Sequence, residues 1–217
     1  MILKDATAII TGSTGGLGAE IARALASAGC NCICHYYEGK EKAQRLVKEL
    51  KEYKIDAAAI SADLRDRRQV ENFFKKLPLS ETPRILINSA AIFKSAPLGD
   101  VTFEDAEAMI KVNLIAPIII SREFVKKLKL KSQAGGLAAG KIINISDIAA
   151  VRPWANYVVY SASKAALDAA TKALAKELAP DVTVNAVAPG IVTWPAGFDS
   201  SAKKKQLKKI KKRFRDS

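Results

Sequence analysis

Tyr160 and Lys164 stand four residues apart at the head of a long run rich in alanine and apolar residues. On a helix that spacing puts both side chains on one face. A phenol ionises near pKa ~10 and is a poor proton donor at neutral pH. An ammonium one turn away favours the phenolate and brings the group toward working range. Tyr-x-x-x-Lys alone is common by chance. Here it follows Asp147, thirteen residues earlier at the end of an apolar strand, and the chain opens with a glycine-rich turn, Gly12-Ser13-Thr14-Gly15-Gly16-Leu17-Gly18. Such a turn lets backbone approach a pyrophosphate, and a helix start behind it supplies free N–H groups and a positive dipole end.

These residues need strands that end beside one another. Ala6 to Thr11 is an apolar run of strand length, followed by the glycine turn and a helix through about Ala28. Further strands are expected at 31–37, 57–62, 84–87, 141–146 and 182–187. Helices are expected at about 40–53, 67–77, 103–131 with an interruption near Pro117, and from Tyr160 to about Ala179. The strands alternate with helices and lack period-two polarity, which predicts an α/β fold: a Rossmann-like, doubly wound parallel sheet in three αβα layers. Ligands of such sheets bind beyond the carboxyl ends of the strands. Asp63-Leu64, Asn88-Ser89-Ala90, Asp147 and Pro189-Gly190 all fall at strand ends.

The 217 residues suit one large domain and are short for two. No apolar run reaches the ~20 residues of a membrane span, and MILKDATAIITG has no signal-peptide pattern; a cytoplasmic protein is expected. Cys30, Cys32 and Cys34 alternate along one strand, as small core residues do, and His35 lies on the opposite face, so no metal site is expected. The net charge of +13 is lopsided: residues 203–215 hold nine Lys or Arg, so the tail, counted with Asp216, carries +8 and the body +5. That pattern describes a basic tail rather than a nucleic-acid-binding domain. Within 200–217, Leu207, Ile210 and Phe214 recur at helical spacing, as in a solvated amphipathic helix; attraction of anionic ligands or surfaces is the second reading.

From residue 6 to about 195 the order and spacing of TGSTGGLG, Asp63, NSAA at Asn88, Asn113 in KVNL, Tyr160-SAS-Lys164 and Pro189-Gly190 resemble the short-chain dehydrogenase/reductases. The resemblance implies a catalytic tetrad of Asn113, position 147, Tyr160 and Lys164. Tyr is the acid/base, Lys holds the nicotinamide ribose and tunes the Tyr, and Asn supports a proton-relaying water. It also implies a dinucleotide held by Gly12, Ser13, Thr14, Gly16, Leu17, Gly18, Tyr36, Tyr37, Asp63, Leu64, Asn88, Ser89, Ala90, Tyr160, Lys164, Pro189, Gly190 and Val192.

The family usually carries Ser where this chain has Asp147, and Ser146, one residue off, points to the other face of its strand. A carboxylate there repels the oxyanion of a ketone being reduced and favours a C=N bond, whose nitrogen gains positive character. The pattern resembles the pteridine and dihydromonapterin reductases, a branch with Asp in this place. His35-Tyr36, Phe93, Pro153 and Tyr157 extend the match, whereas Gly16 and Glu38 stand where the branch often has basic residues. Phe93 either stacks on a flat substrate or packs at the rim. Trp154 and Trp194 either wall an aromatic slot or close the core.

NAD-preferring members end strand two with an acid that holds the ribose 2′-hydroxyl; this chain has Tyr36 there, and Ser13, Thr14 and Lys40 are placed to meet a 2′-phosphate. NADP(H) is therefore expected over NAD(H). The resemblance implies a homodimer or homotetramer, and one more helix and strand beyond Ser217, so that 182–187 is expected as an exposed edge. Two other functions fit the sequence: a ketone reductase such as a 3-oxoacyl-carrier-protein reductase, and a cofactor-binding or interaction protein without turnover.

Overall fold

In the computed structural model, residues 3–77, 82–132, 140–190 and 192 are described. Six parallel strands form one sheet in the order β3-β2-β1-β4-β5-β6. They are β1 Thr7–Ile10, β2 Asn31–Tyr36, β3 Ala57–Ser61, β4 Ile85–Asn88, β5 Gly140–Ile145 and β6 Val182–Val187. The helices are α1 Gly16–Ser27, α2 Lys40–Lys51, α3 Arg67–Lys75, α4 Phe103–Ile110, α5 Ala116–Ser132 and α6 Val158–Leu178. The fold is the doubly wound one expected, and every expected strand is present to within a residue or two.

Alternation along the strands divides the core in two. Ile9, Ile33, Ile60, Leu86 and Ile142 face α3 and α5, with Phe73 and Phe124 fully buried between. Ala8, Cys32, Cys34 and Ala57 face the other way, and these small side chains let Ala22 and Ala26 of α1 and Leu46 and Leu50 of α2 pack close. The three cysteines are free and buried on this side, where desolvation pushes the Cys34 thiol up to about 11. They fill space, as their spacing indicated. β6 lies at the sheet edge among the described residues, with Thr183 and Asn185 to Val187 exposed.

The expected interruption near Pro117 is present as a change of helix type two residues before it. Pro117 sits in the first turn of α5, where a missing N–H is tolerated. The irregularity lies just before it, a π-helical turn over Lys111–Ile115 that joins α4 to α5. Such turns are frequent at functional sites, and its buried centre is Asn113.

Strand order reverses between β1 and β4, so the crevice opens at their carboxyl ends. Thr11 closes it from below: its hydroxyl oxygen accepts from Ser89 N at 3.0 Å and from Ala90 N at 3.1 Å, tying the segment after β4 to the end of β1.

Candidate active site

One half of the crevice is made of backbone. Gly12 has φ +67°, and a Cβ on it would lie 2.7 Å from Ala90 Cα; one on Gly18 would lie 2.3 Å from Gly12 O. Neither position admits a side chain. His35, fully buried at the end of β2, fixes the turn from beneath. Its Nδ1 accepts from Gly12 N at 3.1 Å, and its Nε2 lies 2.9 Å from Ala62 O. The first contact needs a lone pair on Nδ1, so the proton sits on Nε2 and the ring is neutral. Burial, the dominant influence, holds its pKa below the usual value.

The helix that follows is left open. α3 and α4 are capped by the side chains of Asp66 and Thr102, whereas the N-cap of α1 is Gly15, which has no side chain to offer. Its first-turn N–H groups face the crevice beside exposed Gly15 and Gly16. A pyrophosphate fits this cradle on both counts, space and polarity.

Farther along the edge lie the other residues expected to meet the dinucleotide. Asp63 and Leu64 follow β3, Leu64 buried and Asp63 bound to Arg65. Tyr36 is partly buried and Tyr37 exposed. Ser13 is fully buried and donates its hydroxyl proton to His35 O at 2.9 Å, so it has no proton left for a 2′-phosphate. Asn88 turns its side chain inward, donating to Asn144 Oδ1 at 2.8 Å, while Asn144 donates to Thr171 Oγ1 at 2.8 Å. That chain of amides ties β4 to β5 and α6. Leu17 packs against the core at the start of α1. Pro189 accepts from Ile148 N at 3.2 Å, and Gly190 and Val192 are exposed beyond β6. Trp194 and the basic tail lie outside the described residues.

The other half is made of side chains. Tyr160, in the first turn of α6, donates to Asp147 Oδ2 at 2.7 Å. Asp147 Oδ1 accepts from Ala149 N at 2.8 Å, which fixes the carboxylate. Lys164 donates to Ile145 O at 2.7 Å, with Nζ 5.8 Å from the centroid of the Tyr160 ring. Burial draws its pKa down to about 8, against the upward pull of Asp147 and Asp168. Ser146 faces away, its Oγ buried without a hydrogen-bond partner among the described residues.

One expectation is corrected here. Lys164 was expected to ease ionisation of Tyr160; instead the phenol's pKa is raised strongly, first by burial and then by the hydrogen bond and negative charge of Asp147. In this chain burial, reinforced by Asp147, keeps the proton on Tyr160.

Asn113 has its whole side chain engaged. Its Oδ1 accepts from Ile92 N at 2.8 Å, and its Nδ2 donates to Ile92 O and Ser163 Oγ, both at 3.0 Å. Ser163 Oγ in turn donates to Tyr160 O at 2.6 Å. The amide thus couples the segment after β4 to α6. The neighbouring residue is Phe93, half-exposed, stacked on Tyr157 at 4.8 Å and edge-on to Tyr160 at 4.7 Å. Trp154 meets Tyr157 edge-on at 5.7 Å and Phe93 at 6.4 Å. Phe93 and Trp154 therefore belong to one aromatic wall beside the Tyr160 phenol. Its centre, Tyr157, was visible in the sequence only as a position at fixed distance from Tyr160.

Residues 6–206 match the family model for short chain dehydrogenase. The chain belongs to that family. It is 32% identical over 202 residues to 3beta-hydroxysteroid dehydrogenase 1 of Eggerthella lenta, covering 92% of this chain and 76% of that one. It is 34% identical over 193 residues to the 3-oxoacyl-[acyl-carrier-protein] reductase FabG of Aquifex aeolicus, covering 88% and 75%. Among solved structures it resembles a short chain dehydrogenase from Burkholderia cenocepacia in complex with NADP, with a TM-score of 0.84 at 33% identity, covering 95% of this chain and 83% of that one. As a family member the protein is an oxidoreductase of the NAD(P)-dependent short-chain dehydrogenase type.

Proposed function

We propose that this short-chain dehydrogenase is an NADP(H)-dependent reductase acting on the C=N bond of a flat, pterin-like heterocycle. The observation that carries the reading is the Tyr160–Asp147 hydrogen bond of 2.7 Å. Reduction of C=N adds a hydride to carbon and a proton to nitrogen. NADPH, when bound, supplies the hydride. Gly12 to Gly18 and the α1 N-terminus would hold its pyrophosphate, Asp63, Leu64 and Ala90 its adenosine half, and Lys164 and the Pro189–Gly190 segment its nicotinamide half. The likeness to a structure solved with NADP supports this choice.

The substrate nitrogen takes the place of Asp147 as acceptor of the Tyr160 hydroxyl and receives its proton, leaving a phenolate, and the freed Asp147 carboxylate faces the nitrogen. A carboxylate stabilises a nitrogen that gains positive charge and destabilises an oxygen that gains negative charge. Lys164, whose pKa of about 8 lies near working pH, returns a proton to the tyrosine after turnover. Phe93, Tyr157 and Trp154 offer the aromatic wall against which a planar ring stacks. Three buried free thiols suit the reducing cytoplasm, the compartment we assign. We also assign a homodimer or homotetramer, in keeping with half-exposed Ile115 just ahead of α5 and Val158 at the start of α6.

Ketone reduction is the second reading, favoured by relatives whose names denote a hydroxysteroid dehydrogenase and a 3-oxoacyl-carrier-protein reductase. A panel of dihydropterins and β-ketoacyl thioesters with NADPH separates the two. The native enzyme is expected to turn over the dihydropterins, and Asp147→Ser to lose about 100-fold in that activity while gaining on ketones. Unchanged pterin turnover in Asp147→Ser defeats the assignment.

A further inference from the structure

β2 and β3 pair in parallel with Tyr36 opposite Ser61, so the segments that follow them leave the sheet side by side. Arg65 crosses this gap. Its Nε and Nη2 grip the Asp63 carboxylate at 2.9 and 2.7 Å, and Nη2 also donates to Tyr37 Oη at 2.6 Å. The guanidinium lies over the Tyr37 ring, its Cζ 4.9 Å from the centroid. It is still more than a third exposed, whereas Asp63 is mostly covered.

This is the edge to which the glycine turn leads. Ser13 N and Oγ are both bonded to His35 O, and Ala62 N donates to Tyr36 O, so the turn and the two strand ends form one rigid rim. Along that rim Ser13 has no free proton, and Glu38 adds an exposed negative charge. Lys40 is exposed on the first residue of α2, without the aromatic platform that orients Arg65. With Nε and Nη2 engaged, Arg65 still offers its Nη1 protons and its permanent charge to a phosphate.

We propose that Arg65 is the residue that reads the 2′-phosphate of NADP(H), supported on Tyr37 and shared between that phosphate and Asp63. The proposal rests on the NADP(H) reading. It supplies from the end of β3 the cation that the segment after β2 replaces with Glu38.

Adenosine 2′,5′-bisphosphate and 5′-AMP differ only in the 2′-phosphate, so their dissociation constants, measured by calorimetry, isolate this contact without turnover. The native chain is expected to favour the bisphosphate by at least about 10-fold. Arg65→Ala should cut bisphosphate affinity by about 10- to 100-fold and leave 5′-AMP within about 3-fold. Arg65→Gln, which keeps donors but no charge, should fall between the two. A native chain that prefers the bisphosphate, with the preference intact in both variants, overturns the role of Arg65 alone. A native chain with no preference overturns the cofactor reading and the proposal together.

Discussion

The two halves of the crevice are built from different materials. The cofactor half is backbone pressed against backbone: Gly12 against Ala90, Gly18 against Gly12, and a neutral histidine bonded at both nitrogens underneath. The catalytic half is side chain against side chain: a phenol on a carboxylate, an ammonium on a carbonyl, three aromatic rings in mutual contact. A backbone cradle recognises what all dinucleotides share and accepts almost no substitution. A side-chain wall can be rewritten a residue at a time. Relatives with steroid and acyl-carrier-protein names are about a third identical to this chain over the aligned residues.

The largest expected effect separates the halves outright. Tyr160→Phe removes the only hydroxyl bonded to Asp147 among the described residues and should lower kcat by about 1,000-fold. NADPH affinity, followed by fluorescence, should shift by less than about 5-fold, since a lost ring hydroxyl leaves the glycine cradle intact. A parallel collapse of binding would break the distinction.

Gly12→Ala should do the reverse. Its Cβ meets Ala90 Cα at 2.7 Å from a backbone with positive φ, so the turn and the segment after β4 must part. NADPH affinity should fall by about 100-fold and the melting temperature with it, at a cost of about 1–3 kcal/mol. Calorimetry and thermal denaturation of the same sample report both.

The smallest effect is one of pH. His35 is held neutral in the fold with a lowered pKa, whereas the unfolded chain takes up its proton near pH ~6.5. Between those values the unfolded state carries more protons, so stability is full above about 6.5 and declines as pH falls, by at most about 1.4 kcal/mol per unit. His35→Gln should flatten that slope in urea melts from pH 7.5 to 5. A slope unchanged by the substitution would place the acid sensitivity elsewhere and weaken the picture of a histidine-locked turn.

Much of this arrangement was legible along the chain because it is local. Tyr160 and Lys164 share a helix face, and the glycines sit between a strand and a helix, so spacing alone announced them. Strand ends carrying Asp63, Asn88 and Asp147 followed from apolar runs. What could not be read depends on strands adjacent in space and distant in sequence. Thr11 bonds across to Ser89, His35 reaches back to Gly12, and Arg65 meets Tyr37 only because β2 and β3 are neighbours. The proton balance of Tyr160 was misjudged for the same reason. Lys164 is a neighbour by helical count, but the partner within bonding distance is Asp147, brought there by the sheet.

The π-turn over Lys111–Ile115 has a consequence for how this stretch can vary. A π-turn carries one residue more than the α-helical turn it replaces, so a one-residue deletion here would restore ordinary α-helix and leave everything downstream on its present bearing. Ile120 and Phe124 would stay buried under the sheet, while Asn113 would lose the wide turn that sets its amide against Ile92. The spare residue thus lets a single continuous rod answer to two masters, the chemistry at its front and the hydrophobic interior at its rear.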